Sequence, residues 1–140
     1  MKSLVFGVNN IKVMNGNKPV ELGSIAIWNE YGTRKIPPRP AFRMGLELAM
    51  NTRKQNIESF LKSLSSRALN GIDIRSDLDD KLKKLLTGIG QSAVKETKQI
   101  IDTGSTTPNA PSTIARKGFD HPLYHKGLLM ENVNYEVIDE

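Results

Sequence analysis

Apolar positions along the chain change their spacing several times, and each change marks an element. From Ser3 to Val8, Val5, Phe6 and Val8 stand among small residues and predict a strand that Gly7 weakens locally. The stretch Asn9–Pro19 carries Asn9-Asn10, Asn15-Gly16 and Pro19, which predicts a loop with a tight turn at Asn15-Gly16 and room for a short edge strand at Ile11–Met14. From Val20 to Tyr31, Leu22, Ile25, Ala26, Trp28 and Tyr31 recur at helical spacing, and Gly32 falls where a left-handed C-terminal cap is needed. The large ring of Trp28 is expected in the core. Glu30 sits against the helix dipole in the last turn, so a cation such as Arg34 or Arg39 is its expected partner.

The prolines of Ile36-Pro37-Pro38-Arg39-Pro40 fix an extended segment, and Pro40 suits the first position of the next helix. Phe42, Leu46, Ala49/Met50, Ile57, Phe60/Leu61, Leu64 and Ala68 then step by three, four or seven, predicting one helix to about Leu69 that Asn70-Gly71 ends. Ser76-Asp77-Leu78-Asp79 reads as the capped start of a second long helix, whose stripe runs through Leu78, Leu82, Leu85/Leu86, Ile89, Ala93, Thr97 and Ile100/Ile101. Gly88 and Gly90 inside it each cost about 1 kcal/mol relative to alanine, and so mark a kink or a close helix crossing. Long helices with a short connection are expected to pack antiparallel.

Beyond them, 102–112 is polar and rich in breakers, with single helical turns expected at Thr113–Lys117 and His125–Glu131. Val133, Tyr135 and Val137 alternate with polar residues and predict a half-buried strand that pairs with Ser3–Val8. The expected fold is therefore α+β. Two long amphipathic helices pack on a small antiparallel sheet built from strands near both termini, in a single domain over 1–140 with a mobile loop at about 102–113.

Composition narrows the function. There is no cysteine, which removes disulfides, thiolate nucleophiles and Cys-containing zinc sites and favours a protein independent of an oxidising compartment. No window approaches the length of a membrane span, and the apolar run at Leu4–Val8 is too short for a signal peptide, so a soluble, intracellularly made protein is expected. The formal net charge of +5 allows contact with nucleic acid. Its carriers, however, scatter along helical patterns: Arg53-Lys54, Lys81, Lys83-Lys84, Lys95 and Lys98 interleave with Glu47, Glu58, Asp79, Asp80 and Glu96, as on solvated faces.

Candidate chemistry is sparse. His121 and His125 are spaced as a helical metal pair, but Pro122 lies between them and neither a cysteine nor the required Glu accompanies them. No Gly-x-Ser-x-Gly elbow is present, and Gly88-x-Gly90 lacks the third glycine and preceding strand of a dinucleotide site. A non-enzymatic protein without cofactor or metal is the expectation.

Asn29-Glu30-Tyr31-Gly32-Thr33, followed by Ile36-Pro37-Pro38-Arg39-Pro40-Ala41-Phe42-Arg43, resembles the Asn-Glu-Phe-Gly-Thr … Ile-Pro-Pro-Arg-Pro-Phe-x-Arg signature of small neck or tail-completion proteins of tailed bacteriophages and prophages. Pro108-Asn109-Ala110-Pro111-Ser112-Thr113 through Gly118, with Pro122-Leu123-Tyr124-His125-Lys126-Gly127-Leu128-Leu129, is similar to a second pattern of the same group. Ala41 stands where the family commonly has Phe, and Tyr124-His125-Lys126-Gly127 replaces its usual Ile-Asp-Thr-Gly.

The resemblance implies a structural virion protein, made in the bacterial cytoplasm, that joins head to tail. Its implied partners are the tail terminator or tail tube, the head-side connector and further copies of itself in a ring around the DNA channel, with DNA as a possible contact and no membrane. A DNA-binding or DNA-packaging accessory protein is the alternative, carried by the positive charge. Within the first signature, Asn29, Glu30, Tyr31, Gly32, Thr33, Pro37, Pro38, Arg39, Pro40 and Phe42 are the candidate partner-binding residues. The bland alternative, not exclusive of the first, is that they pin the start of the long helix.

Overall fold

The computed structural model describes residues 2–15, 17–103 and 127–139. Its elements run β1 (Lys2–Val8), β2 (Lys12–Asn15), β3 (Lys18–Glu21), α1 (Leu22–Tyr31), α2 (Ala41–Thr52), α3 (Lys54–Leu69), α4 (Arg75–Thr103), α5 (Leu128–Glu131) and β4 (Val133–Asp139). The fold is α+β, as the alternation of strand and helix patterns predicts.

Strands β1 and β4 pair antiparallel over their whole length, with Val8 opposite Val133, Phe6 opposite Tyr135 and Leu4 opposite Val137. The period-two pattern of β4 is realised in its burial: Val133 is buried and Tyr135 and Val137 are half-buried, whereas Asn134 and Glu136 are exposed. At the far end of the ladder Lys2 Nζ reaches Asp139 Oδ2 at 2.6 Å, which raises the lysine pKa and lowers that of the aspartate.

In a second antiparallel pair, β2–β3, β2 realises the short edge strand expected at Ile11–Met14, while β3 occupies what reads in sequence as loop and helix start. Pro19 is tolerated in β3 because that strand pairs on one side only, with β2, and the missing N–H leaves no gap in a central ladder. Gly16, half of the expected tight turn, lies outside the described residues. Asn10 ties this hairpin to α1: its Oδ1 accepts the Gly23 amide at 3.0 Å, supplying a first-turn acceptor that the side chain of the capping residue Glu21 does not provide.

The first long helix is two helices. Arg53, at φ −96° and ψ 7°, leaves the helical path between α2 and α3. An unbroken apolar stripe conceals this, because periodicity across residue 53 is retained on both sides. Pro40 is the residue before α2 rather than its first helical position, with ψ 61°. Similarly, α4 begins at Arg75, ahead of the expected Ser76 cap, and Asp73 Oδ1 accepts the Arg75 amide at 3.0 Å.

The expected antiparallel packing is present for α2, whose Gly45 faces Thr97 and whose following Arg53 reaches Ser92 on the C-terminal half of α4, whereas α3 has no comparable contact with α4. Gly45 permits this approach, since a Cβ there would collide with the Thr97 hydroxyl. Gly90 serves a different contact from the helix crossing expected of it, for its bare backbone face receives the ring of Tyr135 from β4. The core gathers Leu22 and Ala26 of α1, Ala41 of α2, Ile100 and Ile101 of α4, Leu129 of α5 and Val133 of β4. Full burial of residues such as Leu22, Ile101 and Leu129 contributes about 1.5–3 kcal/mol each. No residue of α3 is buried, nor is any residue of α4 before Ile89. The expected mobile loop lies, from residue 104, outside the described residues, as do the expected turn at Thr113–Lys117 and the two histidines.

Candidate interaction site

Residues 29–43 form one hydrogen-bonded junction in which α1 ends and α2 begins. Gly32 closes α1 at φ 76° and ψ 171°, not in the left-handed helical conformation expected of it but still at a positive φ that side chains with a Cβ rarely enter. A Cβ at this position would also stand 2.8 Å from the Ile36 carbonyl oxygen and 2.9 Å from the Pro38 nitrogen. Glycine therefore lets the returning proline segment lie directly against the helix end. Thr33 makes the turn: its amide donates to the Ile36 carbonyl at 2.8 Å, and its hydroxyl accepts from the amides of Lys35 and Ile36 at 3.2 and 3.1 Å.

The proline segment is then fastened to α1. The Arg39 amide donates to the Asn29 carbonyl, and Arg39 Nη1 reaches Asn29 Oδ1 at 3.4 Å. Arg39 is only 7% exposed, so its guanidinium is part of the junction interior. The contacts described for Glu30 are to backbone amides rather than to the expected Arg34 or Arg39. Its two carboxylate oxygens accept the backbone amides of Phe42 at 3.0 Å and Arg43 at 2.8 Å, which are first-turn donors of α2. A carboxylate unfavourable at the end of its own helix is thereby placed at the favourable, N-terminal end of the next. The ring of Phe42 packs on Phe6 of β1 at 5.6 Å between centroids, joining the junction to the sheet.

The ten candidate residues thus divide. Asn29, Glu30, Gly32, Arg39, Pro40 and Phe42 are buried or half-buried, and all but Pro40 make the inward contacts above, while Tyr31, Thr33, Pro37 and Pro38 are exposed. Trp28, expected in the core, is instead 40% exposed, with Ile27 at 59% and Tyr31 at 76% beside it on the same side of α1. The inward side of the helix is already filled by Leu22 and Ala26. A sequence signal for this outer face exists: Leu22, Ile25, Ala26, Ile27, Trp28 and Tyr31 spread apolar character around more of the helix than one core contact can use.

Of the second signature, Gly127, Leu128 and Leu129 are described. Gly127 has φ 73°, and Leu129, 2% exposed, belongs to the core. Among the described residues no group of three or more His, Asp or Glu side chains is placed to hold a metal ion. An open depression of about 430 Å³ along α4 is lined by Asp80, Lys83, Lys84, Thr87, Gly88 and Gln91, ordinary solvated positions of one helix face. No described helix is long and apolar enough to cross a membrane. Comparison with protein families, with characterised proteins and with solved structures returns no match to this chain.

Proposed function

We propose that this protein is a structural component of a tailed-phage or prophage virion that acts in the neck or in tail completion, joining head to tail without catalysing a reaction. The observation that carries the reading is the pair of separated sequence patterns, one at Asn29–Arg43 and one from Pro108 to Leu129, which occur in the order and approximate spacing of that group. The junction is compatible with such a role on physical grounds. Its hydrogen bonds fix the backbone around Tyr31, Thr33, Pro37 and Pro38, so a partner docking there orders few additional groups. In this role the inward residues hold the display and the exposed ones meet the neighbour.

Disabling the gene in a phage or inducible prophage that carries it should leave DNA-filled heads and separate tails, visible by electron microscopy. Normal infectious particles lacking the protein would overturn the proposal. Within such a system Tyr31→Ser, exposed and uninvolved in the junction's hydrogen bonds, should impair joining while the purified variant keeps the parent's melting temperature.

A further inference from the structure

Ile27, Trp28 and Tyr31 form an apolar strip on the outside of α1, and three cations gather at its C-terminal end. Arg34 and Lys35 lie in the turn that Thr33 closes directly after the helix, and both are exposed. Arg43, also exposed, is brought there because its amide is bound by the Glu30 carboxylate. The Glu30 carboxylate is occupied by two backbone amides, and no described ion pair uses Arg34, Lys35 or Arg43.

Helix electrostatics account for part of this charge only. Arg34 and Lys35 follow the C-terminus of α1, where positive charge is favourable, but Arg43 lies in the first turn of α2, where it is not. The excess positive charge beside an exposed apolar strip is complementary to a ligand that is both apolar and acidic.

We infer that this face is a docking surface for an acidic, apolar segment of another protein, with Ile27, Trp28 and Tyr31 taking its apolar side chains and Arg34, Lys35 and Arg43 its carboxylates. The inference deepens the reading above by giving the chemistry of the partner, and it rests on that reading only for the particle in which the partner is met. A nucleic-acid strand fits less well, because the strip is a convex helix face rather than a charged groove that tracks a backbone. Parallel pairing of the face with itself would set the three cations against their own copies, and antiparallel pairing would set them against a strip of Ile27, Trp28 and Tyr31 that holds no acid.

Trp28 is the only tryptophan, so its emission reports directly on occupancy of the strip. Titrating the full-length protein with a short synthetic peptide of Leu and Phe interspersed with Glu should shift the emission to the blue in a saturable manner. The same peptide with Lys in place of Glu should leave it unchanged. Charge reversal at Arg34→Glu and Lys35→Glu together should weaken the response about tenfold or more, and Tyr31→Ser should weaken it at unchanged melting temperature. A silent acidic peptide, or an equal response to the Lys peptide, would overturn the inference. So would a response to oligothymidine that the acidic peptide does not compete, or an emission shift with protein concentration alone, which would assign the face to nucleic acid or to a second copy. These outcomes are independent of the gene-disruption experiment, so either idea can fail without the other.

Discussion

Glu30 is held in place by what it does for the next helix. Replacing it with Ala removes both acceptors for the Phe42 and Arg43 amides and the negative charge at the start of α2, a loss of about 1–2 kcal/mol. Thermal melts of Glu30→Ala and Glu30→Gln check this, with the Gln variant expected to lose less because one acceptor oxygen remains. Thr97 offers the opposite case. Its hydroxyl is fully buried against Gly45 and has no hydrogen-bond partner among the described residues, so Thr97→Val removes an unsatisfied polar atom at nearly constant shape. That variant is expected to gain about 1 kcal/mol in denaturant unfolding at unchanged slope. Gly32 and Gly71 at the helix ends were legible because each needs a positive φ that sequence punctuation announces. The exposure of Trp28 was not, since helical spacing says which residues share a face without saying which face has a neighbour.

At the scale of elements, α3 and the first half of α4 differ from the rest of the helical layer. Their apolar residues are at most half-buried, and one described link between them is polar: Arg67 Nη1 contacts both oxygens of Asp77 at 3.0 Å. Lys81 Nζ reaches the same carboxylate at 2.8 Å. Hydrogen bonds from Lys81 and then Arg67 hold the Asp77 pKa below its ordinary value of 3.8. Because the folded value is the lower one, the stabilisation is complete above the ordinary carboxylate range and is lost as pH falls through it to the folded value. Protection of the α3 and early α4 amides against hydrogen exchange should therefore fall on acidification below about pH 4, while α2 and the Ile89–Ile101 half of α4 stay protected. Asp77→Asn should give the less protected state at neutral pH and remove the acid step; an unchanged acid step would sink the assignment. The break at Arg53 escapes sequence reading for a related reason. Both halves keep one apolar stripe, but only α2 has the sheet-backed part of α4 to press it against.

For the molecule as a whole, the two termini are tied into one sheet, and that sheet, α1, α2, the C-terminal half of α4 and Val13 of β2 contain every buried apolar side chain described outside α5. The alternation in Val133–Val137 and the short run at Ser3–Val8 made this closure readable, because a half-buried two-stranded sheet leaves a local period of two. The division of the helical layer into a buried and an unburied part left no such trace, since burial is set by partners distant in sequence. It carries a testable consequence. A Cβ on Gly88 would lie 3.5 Å from Arg53 Nη1, and Arg53 Nε donates to Ser92 Oγ at 2.9 Å, so the two helices are adjacent where the unburied part begins. Replacing residues 55–85 by a short Gly-Ser turn should then reconnect neighbouring ends without disturbing the core. The shortened chain is expected to unfold in one cooperative transition within about 2 kcal/mol of the parent. By contrast, the single change Leu129→Ala removes about 2–5 kcal/mol by opening a cavity among Leu22, Ile101 and Val133. If the excision proved as damaging as the core substitution, α3 would belong to the cooperative unit despite having no buried residue, and its half-covered stripe would have to be closed by something other than the described chain.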